Sequence, residues 1–63
     1  MDQLQELPVL MTSSEVAKVL QVNRSTLSRW RAAGVGPRVV WLSPNMPRYQ
    51  SAEVADWLNR LAA

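Results

Sequence analysis

The stretch LQVNRSTLSRWRAAG, Leu20 to Gly34, sets Arg24, Ser25, Ser28, Arg29 and Arg31 close together with no acid among them. These side chains suit one kind of chemistry, the recognition of an anion. A guanidinium is a planar fork of donors that fits a phosphate or the edge of a guanine, and a hydroxyl can donate or accept beside it. Reaction chemistry has little to work with. The chain contains neither histidine nor cysteine, so it lacks the usual general base, the usual metal ligands and any disulfide. Its five carboxylates share no motif with a nucleophile or a metal-binding set. The reading is therefore not an enzyme: no catalytic residues, no metal, no cofactor and no small-molecule ligand.

Charge is segregated along the chain. Asp2, Glu6 and Glu15 give residues 1–15 a charge of −3. Lys18, Arg24, Arg29, Arg31, Arg38 and Arg48 give residues 16–48 a charge of +6, with no acid. Glu53, Asp56 and Arg60 leave residues 49–63 at −1. A basic segment flanked by acidic ones is the footprint of a polyanionic partner. Six of the seven cations are arginine, a bias that also fits a GC-rich genome.

Positioning those arginines falls to a small scaffold, because a chain of 63 residues buries only about 60% of the surface that its unfolded form exposes. Residues 1–11 read as an N-terminal arm, broken by Pro8, whose end at Val9 to Met11 packs on the domain. Residues 12–63 read as one domain. TSSE supplies a capping box, Thr12 with Glu15, ahead of a helix over Ser13 to Leu20. Its Val16, Ala17, Val19 and Leu20 share one arc and Lys18 lies opposite. Asn23 is the expected cap of a second helix ending at Gly34 in the left-handed conformation.

At ~100° per residue, Arg31, Arg24, Ser28, Ala32, Ser25 and Arg29 span an arc of roughly 160° on that second helix. Leu27 and Trp30 fall on the other side, for the core. The five polar residues are left free on one face beside small side chains, where a backbone could approach a groove.

Beyond Pro37, Arg38 to Gln50 reads as a β-hairpin, with SPNMP as a rigid tip whose prolines suit an edge. Alternation places Val40 with Leu42 and Val39 with Trp41. Ser51 is the expected cap of a third helix, Ala52 to Ala62, with Val54, Trp57, Leu58 and Leu61 as its apolar stripe. The fold class is mainly α with a small β-hairpin, a helix-turn-helix followed by a wing and a closing helix. Nothing reads as a signal peptide or membrane span, so a cytoplasmic location and no membrane partner are expected.

Thr12 to Leu58, with its EVAKVLQV run, Trp30, Gly36-Pro37, Arg48-Tyr49 and Trp57-Leu58, resembles the winged helix-turn-helix proteins of the excisionase, AlpA and MerR-like group. The resemblance implies that Arg24, Ser25, Ser28 and Arg29 lie on a recognition helix in the major groove, and the helical arc adds Arg31 to that DNA-binding face. It implies that Arg38, Asn45 and Arg48 belong to a wing on the adjacent backbone or minor groove; Lys18 is read as a further DNA contact, from the first helix. Leu20, Val22, Leu27, Trp30, Tyr49 and Trp57 correspond to core positions. Two departures stand out. Gln21 occupies the turn region where the group often has glycine, and Trp41 stands at a strand position that is often basic. A half-exposed Trp41 could pack on the arm, contact a protein, or stack on a sugar.

The chain ends five residues after Leu58, with no long dimerising helix, so within the group it is most similar to a phage excisionase, or recombination directionality factor. Such a protein binds repeats in attachment-site DNA, bends the duplex, works with a phage integrase and self-associates on adjacent sites. It acts in the bacterial host cell, and the arginine bias suits a phage of a GC-rich host, mycobacteriophages among them. The alternatives are an AlpA- or MerR-like transcriptional regulator and, from another class, a protein-interaction module such as an antitoxin or adaptor.

Overall fold

Thr12 starts the first helix by exchanging two hydrogen bonds with Glu15. The Glu15 N–H donates to Thr12 Oγ1 at 3.2 Å, and the Thr12 N–H donates to Glu15 Oε1 at 2.8 Å. This capping box satisfies donors that a helix start leaves unpaired. The structure, a computed structural model, describes residues 7–63. In chain order its elements are β1 (Leu10–Met11), α1 (Ser13–Leu20), α2 (Arg24–Ala33), β2 (Val40–Trp41), β3 (Pro47–Gln50) and α3 (Ser51–Ala62). The first six residues of the arm lie outside the described residues.

Helices α1 and α2 end in the same way. The N–H groups of Gln21 and Val22 donate to the carbonyls of Lys18 and Ala17, and those of Gly34 and Val35 donate to Arg31 and Trp30. Both are Schellman closures, which need one residue in the left-handed region. Gly34 meets that need at φ 76°, and Gln21 meets it at φ 60° despite its side chain. Asn23 is the N-cap of α2 as expected, with its carbonyl accepting from the Leu27 N–H, but its side chain makes no capping bond.

The sheet has three antiparallel strands in the order β1-β3-β2. Leu10 and Met11 pair with Gln50 and Tyr49, while Val40 and Trp41 pair with Arg48 and Pro47. The strand carrying Pro47 is thus central, contrary to the edge expected for it. Proline is tolerated because it is the first residue of β3 and β1 does not extend to it, so no ladder bond is lost there. At the wing tip the Met46 N–H donates to the Ser43 carbonyl at 3.1 Å, closing a turn with Pro44 at its second position, where a fixed φ suits the bend.

The start of α3 is shifted by one residue from the expected Ser51 cap. Gln50 is the N-cap, extended and without a side-chain bond, and Ser51 is already helical. The cause is the arm: the Ser51 N–H donates to the Val9 carbonyl at 2.9 Å, so strand passes directly into helix.

Val16, Ala17, Leu27, Tyr49 and Val54 form the buried core, with Met11, Leu20, Val22, Trp30 and Val39 packed against it. Trp30 and Trp57 meet with ring centroids 5.6 Å apart and planes tilted by 50°, an arrangement that aromatic pairs favour. The expected apolar stripes are only partly used. Val19 is 56% exposed, and on α3 Leu58 and Leu61 are 41% and 64% exposed, because the small sheet and two other helices do not extend over them.

Candidate nucleic-acid interface

Helix α2 owes its orientation to Leu27, which is fully buried, and to Trp30, which packs beside the core. Burying that side turns Arg24, Ser25, Ser28 and Arg29 outward, and all four are exposed. Arg29 curls back on its own helix, with Nη2 donating to Thr26 Oγ1 at 3.3 Å.

Three elements converge around an open concavity of about 340 Å³. The start of α1 contributes Thr12, Ser13 and Ser14; α2 contributes Arg24, Ser28 and Arg31; the wing contributes Asn45, Pro47 and Arg48. Three arginines and no carboxylate line it, so the field inside it is positive. Ser25, Arg29, Lys18 and Arg38 are exposed but lie outside its walls. The structure thus brings Arg24, Ser28 and Arg31 together with Asn45 and Arg48, and leaves the other four at its periphery or beyond.

Arg31 is not the free cation that its place on the helical arc suggests. Its Nη1 donates to Tyr49 Oη at 3.0 Å and to Ser13 Oγ at 3.2 Å, and its Nη2 donates to Ser28 Oγ at 3.3 Å. The guanidinium carbon sits 5.6 Å from the centroid of the Trp41 ring, a cation–π contact. Every hydrogen-bond partner here is a neutral hydroxyl, so the contacts fix the guanidinium without cancelling its charge. Arg48 is also held in place, with Nη1 donating to the Pro47 carbonyl at 2.8 Å.

Trp41 is 52% exposed, and its described contact is with Arg31. Packing of Trp41 on the end of the arm is not what the fold provides, since Leu10 and Met11 lie across β3 on the opposite edge of the sheet. The alternation expected for β2 holds in part: Val39 packs on the core and Trp41 meets α2, both toward the helices.

Thr12, Ser13 and Ser14 were legible only as a helix start, and Tyr49 only as a core residue. The one signal for more is the run of three hydroxyls in TSSE ahead of the first acid of the helix.

Two helices joined by a tight left-handed turn, the second presenting arginines beside a β-wing, define a winged helix-turn-helix protein. Residues 10–62 match the family described as Helix-turn-helix domain, and the chain belongs to that family. It is accordingly a small helix-turn-helix protein that binds double-stranded DNA with sequence specificity. No curated protein and no solved structure matches the chain. Among the described residues, no helix is long and apolar enough to cross a membrane.

Proposed function

We propose that the chain is an excisionase: a DNA-binding and DNA-bending protein that steers a phage integrase toward excisive recombination. Helix α2 enters the major groove with Arg24, Ser25, Ser28 and Arg29, and the wing follows the neighbouring backbone with Arg38, Asn45 and Arg48. Lys18 adds a phosphate contact from α1. The observation that carries the DNA-facing half is the acid-free concavity, where arginines of α2 and of the wing line one space. A helix flanked by a second cationic element suits a duplex, whose phosphate rows border the groove that the helix reads.

The ten-residue α2 is about 15 Å long and the major groove about 12 Å wide, so one copy reads only a few base pairs. Specificity then needs several copies on adjacent repeats, which share the ~1 to 6 kcal/mol cost of bending a site of 20 to 30 base pairs.

The roles separate in gel shifts. Arg24→Ala is expected to cost ~1 to 3 kcal/mol on a specific site if Arg24 reads a guanine. Arg48→Ala is expected to weaken all sequences alike and to flatten the salt dependence. Equal losses with unchanged salt dependence in both variants would refute that division. The excisionase role is tested by in vitro excision with the cognate integrase, with and without this protein, alongside DNase footprinting of attachment-site DNA. Repeated protected sites beside the crossover core and integrase-dependent excision support it. Protection confined to a promoter, with no effect on excision, supports the AlpA-like regulator instead.

A further inference from the structure

Arg31 sits where four elements meet. From α2 it bonds Ser13 at the start of α1, Tyr49 of β3 and Ser28 of its own helix, and it lies over Trp41 of β2. We infer that Arg31 is a positioning residue for DNA recognition, holding the recognition helix and the wing at a fixed separation through the buried Tyr49 hydroxyl. The inference rests on the reading that α2 and the wing grip one duplex together.

While β3 is held by β1 and by the core, β2 and the tip of the wing have few backbone bonds to hold them. Strands β2 and β3 pair over two residue pairs, and beyond them Leu42 N–H donates to Met46 O at 3.0 Å. Tyr49, by contrast, is 1% exposed and fixed by the core around it, so its hydroxyl is an immobile anchor. An arginine is suited to the task because one planar fork can bond two directions while its face meets an indole. Lysine keeps the charge and loses that geometry. Tyr49, being buried, touches no phosphate, which makes it a reporter of the arrangement alone.

The probes are a duplex enriched by the wild-type protein from a randomised 20-base-pair pool, and the unselected pool itself. Circular dichroism and melting curves establish that Tyr49→Phe and Arg31→Lys are folded, and binding is measured well below both melting temperatures. Both variants are expected to lose about three- to thirtyfold on the selected duplex, the range of a coupling that acts through intervening residues. Binding of Tyr49→Phe to the unselected pool is expected to stay within about twofold, since the buried hydroxyl carries no charge and nonspecific affinity follows phosphate charge. The double variant Arg31→Gln with Tyr49→Phe should lose no more than Arg31→Gln alone, because both remove the same link.

Wild-type affinity for the selected duplex in either Arg31→Lys or Tyr49→Phe overturns the inference. So does a salt slope that falls by about one in Arg31→Gln and is restored in Arg31→Lys, the mark of a direct phosphate contact. Failure of the wild-type protein to enrich any duplex is seen before a variant is made. It overturns the underlying reading of α2 and the wing, and this inference with it.

Discussion

Gln21 and Gly34 perform the same task with different side chains. Each closes a helix in the left-handed region, at φ 60° and φ 76°, but only glycine does so without steric cost from a Cβ. Gln21→Gly is expected to raise stability by ~0.5 to 1 kcal/mol, the steric relief exceeding the added chain entropy of glycine. A urea titration should show a higher midpoint with an unchanged slope. Gly34→Ala should do the reverse, by ~1 kcal/mol, since open space around Gly34 leaves backbone strain as the only penalty. Both sites were legible, Gly34 from its place just after the second helix and Gln21 from the group's preference for glycine. Arg31 was not. A helical projection gives the direction of a side chain from its own axis, and the Tyr49 and Ser13 hydroxyls that capture Arg31 lie eighteen residues away in either direction.

At the scale of elements, what is local was legible and what is paired across the chain was not. The extent of α1 follows from its capping box and from the left-handed residue after it. Thr12→Ala is expected to cost about 1 kcal/mol, seen as a lower melting temperature, because it removes one half of that box. The two-residue strand β1 carries no pattern of its own and exists because Leu10 and Met11 meet Gln50 and Tyr49. The same contact moves the start of α3 by one residue, through the Ser51 N–H bond to Val9. Apolar periodicity likewise marks the side of a helix that is able to bury, not how far its neighbours reach. Leu27→Ala, in the core, is expected to cost ~2 to 5 kcal/mol, whereas Leu61→Ala on the uncovered end of α3 should stay within ~0.5 kcal/mol. Equal losses in denaturant unfolding would mean that the end of α3 is covered in solution.

For the whole molecule, the charge segregation read from the sequence becomes a spatial fact. The +6 of residues 16–48 comprises Lys18 of α1, the three arginines of α2, Arg38 and Arg48, and folding sets Arg24 and Arg31 of α2 with Arg48 of β3 around one concavity. What sequence order could not supply was which cations share a surface: Lys18 and Arg38 belong to the basic segment yet stand outside that space. Association with DNA should therefore be led by electrostatics, because all the side chains that line the concavity except Pro47 are arginine, hydroxyl or amide groups. With about five phosphates neutralised, affinity should fall roughly 10²- to 10³-fold between 50 and 200 mM salt, by release of condensed counterions. A fluorescence anisotropy titration of the protein on a duplex, repeated across that range, gives the slope directly. A slope near zero would mean that the basic side of the molecule faces something other than the DNA backbone. A slope steeper than one copy's exposed cations allow would mean that several copies bind together, which the proposed action on adjacent repeats calls for.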